Sequence, residues 1–211
     1  MWQKIVIIVI GVFVISCSGD SMDSPNEDRK KWDSKYKNNK FIYGKEPAFY
    51  LKESISHLPK GKALDIAAGE GRNAVFLAEK GWEVDAVDIS AVGLEKAQQL
   101  AAERSSTINT VVADLTKYKI AENTYDVIVN FYYLQRDLFP QIRKALKVDG
   151  VVIFETFTTD HLQISKMKRE YCLEKGELKE AFIGFEIIEY KEIITSSKAV
   201  ARLIARKKRT E

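Results

Sequence analysis

The sequence is poor in the residues that build disulfide frameworks and metal centres. It has only two cysteines, Cys17 and Cys172, and two histidines, His57 and His161, which stand far apart. A disulfide-stapled fold needs several paired cysteines, and a zinc site needs a cluster of ligands at close spacing. The sequence therefore indicates a fold held together by its hydrophobic core, and we predict no metal site.

An excess of charge of one sign is also lacking. The 33 Lys and Arg residues nearly balance the 30 Asp and Glu residues, which leaves a formal net charge of +3. Domains that bind nucleic acid usually carry a pronounced basic surface. We therefore expect no nucleic-acid partner and consider a monomer that acts on a small molecule.

The beginning of the chain differs from the rest. Lys4 precedes an apolar run from Ile5 to Ile15, which is too short to span a bilayer as a helix and fits the hydrophobic region of a signal peptide. The next residues complete Val14-Ile15-Ser16-Cys17, which resembles a bacterial lipobox, and a lipid on Cys17 would tether the chain to a membrane. The alternative is a translation start at Met22, which would make the protein cytoplasmic. We expect a leader at 1–19, a polar linker and the start of a helix at 20–40, and the folded domain at 41–211.

Short apolar runs alternate with amphipathic segments after Pro59. This alternation predicts a Rossmann-like, doubly wound α/β sheet that is mostly parallel, and two final apolar runs joined by "TSSK" predict an antiparallel hairpin. We expect an additional helix over residues 27–37 and another that starts at Pro47. The segment "FPQIRKALKVDG" predicts a helix that ends at Gly150. The predicted strands are "KALDIA", "WEVDAVDIS", "INTVVAD", "YDVIVNFYYL", "VVIFETF", "FEIIEYKEII" and "AVARLIARKK".

The first predicted strand runs into a glycine-rich turn, "DIAAGEGRNA". The pattern Gly69-x-Gly71-x-x-Ala74 satisfies the dinucleotide fingerprint, and Asp88 follows at about the distance of a ribose-binding carboxylate. Asp65, however, ends the strand beside the turn, where a negative charge opposes a pyrophosphate but favours an ammonium and a sulfonium. The turn therefore favours S-adenosylmethionine over NAD, with the backbone N–H groups around Gly71, Arg72 and Asn73 facing the methionine carboxylate.

Polar residues also end the next strands. Asp88 suits the two ribose hydroxyls of an adenosine, although an Asp at a strand end can simply cap the following helix. Asp114 suits the exocyclic amine of adenine, with Leu115 packed on the ring, although a turn-forming Asp is the structural alternative. Asn130 ends the fourth predicted strand. Because ligands of open α/β sheets bind at the carboxyl ends of the strands, we expect these side chains to share one site.

These motifs resemble those of class I S-adenosylmethionine-dependent methyltransferases. The stretch "ALDIAAGEGRNAVFLAEKGWEVDAVDIS" is similar to their first two motifs, and "WDSKY…YGKEP" and "YYLQRDLFPQIRKALK" narrow the resemblance to the tellurite-resistance (TehB-like) and thiopurine methyltransferase group. The resemblance covers about Trp32 to Lys207 and implies a seven-stranded sheet with an antiparallel last strand. It departs from the family at Ala67, where the family has glycine. We expect an ordinary backbone angle there, with altered but not abolished cofactor binding. The cofactor-binding residues expected from the motifs and the resemblance are Asp65, Ala67, Gly69, Gly71, Arg72, Asn73, Asp88, Ile89, Asp114, Leu115, Asn130 and Tyr43.

The methyl acceptor is less well defined by the sequence. We expect a pocket roofed by Trp32, Tyr36, Phe41 and Tyr43 and floored by residues 130–136. The candidate catalytic residues are Arg136, which could orient an anionic acceptor or form a structural ion pair, Tyr132, which could be a core aromatic, and His161, a possible base or a solvated loop residue. A soft acceptor such as a thiol or a chalcogen oxyanion needs little help from a general base.

Three other functions stay open at this stage. An NAD-dependent oxidoreductase would use the same glycine turn, but Asp65 and Asp114 disfavour it. A membrane-tethered, catalytically weak S-adenosylmethionine-binding protein would reconcile an exported chain with a cofactor that is made in the cytoplasm. Methylation of nucleic acid is disfavoured because "NFYY" lacks the two prolines of the Asn-Pro-Pro-Tyr signature.

Overall fold

A computed structural model describes residues 25–38 and 40–209 of the chain. The predicted leader, with Cys17 and the alternative start at Met22, lies outside these residues. Among the helices that are described, none is both long and apolar enough to cross a membrane. The helices are α1 (Pro25–Tyr36), α2 (Phe49–Ser54), α3 (Arg72–Glu79), α4 (Ala91–Glu103), α5 (Leu138–Ala145) and α6 (Glu177–Ala181). The strands are β1 (Lys62–Ile66), β2 (Glu83–Asp88), β3 (Asn109–Val112), β4 (Tyr125–Phe131), β5 (Leu146–Phe157), β6 (Glu186–Ile194) and β7 (Ala199–Arg206).

The seven strands form one sheet in the order β3-β2-β1-β4-β5-β7-β6. Strands β1 to β5 pair in parallel, whereas β7 lies antiparallel between β5 and β6. The strand order reverses between β1 and β4, which is where open α/β sheets form their ligand crevice. The predicted fold class, including the closing hairpin, is confirmed.

Helices cover both faces of the sheet because β1, β4 and β5 are apolar on both sides. On one face, α5 and α6 contribute Leu138, Phe139, Ile142 and Leu178 to the core, and Phe182 follows α6 directly. On the other face, α2 and α3 contribute Tyr50, Leu51, Ala74, Phe76 and Leu77. These two apolar layers fix the sheet and thereby the positions of the strand ends.

The helix predicted to end at Gly150 ends at Ala145 instead, and β5 begins at once with Leu146. Leu146 is completely buried and pairs with Tyr125 of β4. "KALK" has good helix propensity, but pairing with β4 and burial of Leu146 outweigh this weak local preference. The chain then turns at Asp149, whose φ of 66° is left-handed, before the apolar part of the strand.

The N-terminal helix α1 is joined to α4 by side-chain hydrogen bonds. One oxygen of Asp33 accepts the hydroxyl of Ser90 at 2.6 Å and the backbone N–H of Val92 at 3.3 Å. Ser90 is also the N-cap of α4, where its hydroxyl oxygen accepts the N–H of Gly93. This contact places α1 beside the carboxyl ends of β1 and β2.

Candidate active site

The polar residues predicted at the strand ends converge on one edge of the sheet. Ile66 of β1 pairs with Asn130 of β4 on one side and with Val87 of β2 on the other. Asp88 follows Val87 and therefore lies one residue farther toward the carboxyl edge. It pairs with Val112 of β3, and Asp114 comes two residues after Val112. The parallel register thus brings Asp65, Asp88, Asp114 and Asn130 to the edge where the strand order reverses.

The turn after β1 runs through three residues in the left-handed region. They are Ala67 with a φ of 56°, Gly69 with 56° and Gly71 with 78°. The expectation of an ordinary angle at Ala67 is therefore wrong, because the Cβ of an L-residue crowds the backbone in this region. Sequence reasoning missed this because an alanine gives no local sign of the conformation that its neighbours impose.

The two glycines of the turn also lie where a side chain has no room. A Cβ on Gly71 would collide with Ala97 of α4, and one on Gly69 would lie 2.8 Å from the hydroxyl oxygen of Tyr36. The turn can therefore approach both α4 and α1 closely. A ligand at this turn would meet backbone rather than side chains, as a nucleotide-binding turn requires.

Asp88 holds the turn through its carboxylate. Its Oδ2 accepts the backbone N–H of Gly69 at 2.8 Å, and its Oδ1 accepts the N–H of Ser90 at 2.8 Å. Burial raises the pKa of Asp88, while the N–H groups of Ser90 and Gly69 oppose the shift. Each carboxylate oxygen has a second lone pair for an incoming hydroxyl. Asp88 therefore does not cap α4 directly but holds the N–H of its N-cap residue, Ser90, and keeps capacity for a ribose.

Asp65 is buried beside the turn, with 2% of its surface exposed. Burial raises its pKa to about 7, against the lowering effects of the Ala74 backbone N–H and the Arg72 guanidinium. A buried carboxyl group with an incomplete set of partners is stabilised by a cation. Asp65 therefore fits a ligand whose positive charge lies at the end of β1.

Several buried oxygen atoms at this edge fit a ligand that brings hydrogen-bond donors. Within the described part of the chain, Oδ2 of Asp65, Oδ2 of Asp114 and Oδ1 of Asn130 have no hydrogen-bond partner. Leaving such atoms unpaired is costly in a folded protein. The ammonium, the ribose hydroxyls and the adenine amine of S-adenosylmethionine are donors, so the residues present fit this cofactor. Asp114 also forms the turn that was considered as the alternative, since its Oδ1 accepts the N–H and the hydroxyl of Thr116.

A buried ion pair fixes the segment that follows α1 above the turn. Lys96 of α4 contacts the carboxylate of Glu70 and donates to the backbone carbonyls of Tyr36 at 3.3 Å, Asn38 at 2.9 Å and Lys40 at 2.9 Å. The other oxygen of Glu70 accepts the N–H of Ile42 at 2.8 Å. Sequence reasoning did not single out Lys96, although it lies among the apolar positions of the buried face of α4.

The other predicted cofactor-binding residues have varied contacts. Asn73 is buried, and its Oδ1 accepts the N–H of Ala48, so its side chain positions the segment before α2. Arg72 donates to the backbone carbonyl of Tyr43 at 3.1 Å. Tyr43 itself is exposed, and its hydroxyl accepts a hydrogen bond from Lys35.

The two apolar residues among the predicted cofactor contacts differ in burial. Leu115 is buried in the core, and Ile89 is half-buried between Asp88 and Ser90. Their roles in binding stay predictions.

All three candidate catalytic residues are engaged in contacts with other protein groups. Arg136 forms a two-point ion pair with Glu177, at 2.6 and 2.9 Å, and donates to the carbonyls of Glu170 and Cys172. His161 is buried rather than solvated, which corrects that alternative. Its ring stacks on Phe157 with the centroids 4.2 Å apart, and its Nδ1 accepts the N–H of Ala199.

Tyr132 lies at the centre of a charged cluster. Its φ is 61°, a strained value for a tyrosine, and its hydroxyl contacts the carboxylate of Glu155 and accepts a hydrogen bond from Lys198 at 2.9 Å. Arg202 donates to the same carboxylate at 2.5 Å. Sequence reasoning missed Glu155 and Lys198. The signal for Glu155 was a single charge inside the apolar strand "VVIFETF".

The family model described as tellurite resistance protein TehB matches residues 32–202. The chain is 30% identical over 139 residues to a probable S-adenosyl-L-methionine-dependent methyltransferase TehB of Haemophilus influenzae, which covers 62% of this chain and 48% of the relative. It is 26% identical over 134 residues to the ubiquinone biosynthesis O-methyltransferase of Rickettsia akari, at 59% and 50% coverage. The chain thus spans about half the length of the curated relatives it matches.

Solved structures have the same fold at low sequence identity. The crystal structure of TehB from Haemophilus influenzae superposes with a TM-score of 0.68 at 20% identity, covering 86% of this chain and 68% of that one. A putative S-adenosylmethionine-dependent methyltransferase from Listeria monocytogenes gives a TM-score of 0.60 at 18% identity, at 75% and 96% coverage. The family model extends from α1 to β7 and therefore includes the whole edge described above. The chain belongs to the family whose model is described as tellurite resistance protein TehB.

Proposed function

We propose that this protein transfers a methyl group from S-adenosylmethionine to a soft small-molecule acceptor, a thiol or a chalcogen oxyanion. The observation that carries the cofactor assignment is the set of unpartnered buried oxygens of Asp65, Asp114 and Asn130. Asp65 discriminates best between S-adenosylmethionine and NAD, because a buried carboxyl group beside a glycine turn suits a cation and opposes the pyrophosphate of NAD.

Each of these residues has a defined task in binding. Asp65 would hold the ammonium, the N–H groups at the start of α3 would hold the carboxylate, Asp88 would accept from the ribose hydroxyls, and Asp114 would accept from the adenine amine. When bound, the cofactor supplies a methyl group on a sulfonium, so that an acceptor lone pair bonds to the methyl carbon while the carbon–sulfur electron pair returns to sulfur. The protein contributes position and the exclusion of water.

A soft acceptor agrees with the contacts of the candidate catalytic residues. Arg136 is paired with Glu177, His161 is covered by Phe157, and Tyr132 is bound to Glu155 and Lys198. Burial, followed by the hydrogen bond to Glu155, raises the pKa of Tyr132, which makes it a poor base near neutral pH. A thiolate sulfur, or the selenium or tellurium of an oxyanion, attacks through a lone pair that carries no proton, so a general base is not required. The name of the family adds a chalcogen oxyanion to the acceptors worth testing.

Two measurements test the proposal. Calorimetry of the purified full chain with S-adenosylmethionine and with NADH should give binding of the former only, and binding of NADH alone would reject the methyltransferase. Transfer of a labelled methyl group should then be followed with selenite, tellurite, thiols and phenols as acceptors. We expect turnover with the first three classes, and turnover with phenols alone would overturn the soft acceptor.

A further inference from the structure

A buried carboxylate on β5 gathers two cations around the hydroxyl of Tyr132. The side chain of Glu155 is 2% exposed, and its oxygens accept from Lys198 at 3.1 Å and from Arg202 at 2.5 Å. Tyr132 contacts the same oxygen of Glu155 as Lys198 does. The cluster of Tyr132, Glu155, Lys198 and Arg202 is called the Glu155 cluster below.

The Glu155 cluster carries an excess of positive charge. One carboxylate faces one ammonium and one guanidinium, and the pKa of Glu155 is held below its ordinary value by the hydrogen bonds of Tyr132 and Lys198, which outweigh its burial. Arg202 is mostly covered, with 17% of its side chain exposed, and its guanidinium lies 4.8 Å from the ring centroid of Tyr50. Lys198 is the accessible cation, since a third of its side chain is exposed.

Lys198 keeps capacity for a further acceptor. An ammonium has three N–H donors, and the structure gives it two oxygen partners in the described residues, the Tyr132 hydroxyl at 2.9 Å and Glu155 Oε1 at 3.1 Å. The same two contacts restrict the long side chain to one orientation. A lysine that is already ordered loses less conformational entropy when it binds an anion.

The register of the sheet places the Glu155 cluster next to the candidate active site. Asn130, whose Oδ1 is unpartnered, pairs with Phe154, and the next rung pairs Phe131 with Glu155. Glu155 in turn pairs with Arg202 on β7, and Tyr132 follows β4 directly. Glu155 therefore lies one residue farther toward the carboxyl edge than Asn130, and its side chain is on the opposite face of the sheet, since successive strand residues alternate. Asp65 pairs with Val129 and Val129 with Ile153, so the side chain of Asp65 lies on the same face as that of Glu155.

We propose that Lys198 binds the negatively charged oxygen when the methyl acceptor is an oxyanion. This inference rests on the methyl transfer proposed above. In the reaction the acceptor's lone pair forms the bond to the methyl carbon, and the electron pair of the broken carbon–sulfur bond stays on the cofactor's sulfur. The methylated product carries one negative charge fewer than the acceptor, so Lys198 holds it less tightly and favours its release.

Glu155 and Tyr132 act in this scheme as positioning residues. Glu155 fixes the ammonium at the edge of β5, and the Tyr132 hydroxyl supports it from β4. The left-handed backbone of Tyr132 is stabilised by its N–H, which donates to the carbonyl of Glu155 at 2.8 Å. Strain of this kind persists where the surrounding contacts determine the conformation, and it is common at functional sites.

The experiment compares Lys198→Gln with Lys191→Gln as a matched control. Lys191 lies on the neighbouring strand β6, pairs with Arg202 in register and is exposed, with an ion pair to Glu189 at 3.4 Å. Both variants remove one positive charge from the same hairpin. Selenite is the probe, and the readouts are its dissociation constant by calorimetry, which needs no turnover, and kcat and KM with labelled S-adenosylmethionine.

We expect Lys198→Gln to raise the dissociation constant and the KM for selenite about tenfold or more, because a charge-assisted hydrogen bond is lost. The KM for an uncharged thiol and the affinity for S-adenosylmethionine should change less than about twofold, as should every constant of Lys191→Gln. Lys198→Arg should restore most of the selenite affinity. Circular dichroism spectra recorded near neutral pH, together with unfolding curves, identify any variant that misfolds. If Lys198→Gln misfolds, Lys198→Arg is compared with the wild type instead.

Two results would overturn the assignment. In the first, Lys198→Gln and Lys191→Gln give the same selenite constants. In the second, Arg136→Gln produces the rise instead, which would assign the anion to Arg136. A different result separates this inference from the proposed function. If selenite binding depends on Lys198 but neither selenite nor any other acceptor is methylated, the proposed function is refuted and the anion site remains.

Discussion

The backbone N–H of Gly69 donates a 2.8 Å hydrogen bond to Oδ2 of Asp88, nineteen residues later in the chain. This bond ties the glycine turn after β1 to the end of β2. Because the other oxygen of Asp88 accepts from Ser90, the same carboxylate also sets the start of α4. One side chain therefore organises two of the elements that surround the candidate cofactor site.

Replacing Asp88 with Asn should weaken both the fold and the site. The amide group offers one oxygen where the carboxylate uses two, so one buried backbone N–H loses its partner, at a cost of about 1–3 kcal/mol in the free energy of unfolding. The affinity for S-adenosylmethionine should fall about tenfold or more, since a charged acceptor for the ribose hydroxyls is lost. Chemical denaturation and calorimetry measure the two effects. Asp137→Asn is the control, because Asp137 is exposed and makes no capping hydrogen bond, and equal results for the two variants would refute the role of Asp88.

Replacing Ala67 with Gly should stabilise the protein. The left-handed φ of 56° costs alanine about 1–2 kcal/mol, and glycine removes this cost. The greater freedom of glycine in the unfolded chain offsets about 0.4–1 kcal/mol of this stabilisation. We expect a net rise of about 0.5–1 kcal/mol in the free energy of unfolding. The neighbouring Ala68→Gly is the matched control, since Ala68 is not among the left-handed residues and should lose stability. Unfolding curves that move in the same direction for both variants would contradict the prediction.

The stability of the ligand-free protein should depend on Asp65 between about pH 4 and pH 7. Its pKa is about 7 in the folded protein, against an ordinary value of 3.8. In this window the folded state binds more protons than the unfolded state, so the contribution of Asp65 to stability is largest at low pH and is lost as the pH rises toward 7. Asp65→Asn should flatten this part of the profile. Denaturation curves across the range measure it, and a wild-type profile that Asp65→Asn leaves unchanged would refute it.

The same group should couple cofactor binding to proton release. A cationic ligand favours the ionised carboxylate, so the affinity for S-adenosylmethionine should rise with pH up to about pH 7, the pKa of Asp65. Binding at pH 6 should release a proton, which calorimetry detects as a heat that varies with the ionisation enthalpy of the buffer. Asp65→Asn should abolish this variation, whereas proton uptake by the wild type would contradict the assignment of the ammonium to Asp65.

Replacing Lys96 with Met should free the segment that covers the glycine turn. The change leaves Glu70 as an unpaired buried charge and removes the donor from three backbone carbonyls, which should cost about 3–5 kcal/mol. Lys45→Met breaks an exposed ion pair to Glu103 and should cost less than about 1 kcal/mol. Denaturation and limited proteolysis between residues 37 and 46 compare the variants. Similar losses for both would show that the buried pair does not hold this segment.

The order of strands and helices could be predicted because each element carries its own periodic pattern. Apolar runs of β1, β4 and β5 are buried on both faces, and the glycine turn and the polar strand ends are marked in the sequence. The end of α5 was missed because Leu146 suits a helix locally and becomes a strand residue only by pairing with Tyr125. The conformation of Ala67 was missed for a similar reason, since the close approach of the turn to α1 and α4 imposes it.

The residues of the candidate site divide in the same way. The sequence by itself determined the α/β sheet and the placement of Asp65, Asp88, Asp114 and Asn130 at strand ends, since parallel strands bring their carboxyl ends to a common edge. Only the tertiary structure decided which side chains pair. Lys198 meets Glu155 across 43 residues, Lys96 meets Glu70 across 26, and Arg136 meets Glu177 across 41. Such pairs follow from the register of the sheet and the packing of helices on it, which no local pattern of residues encodes.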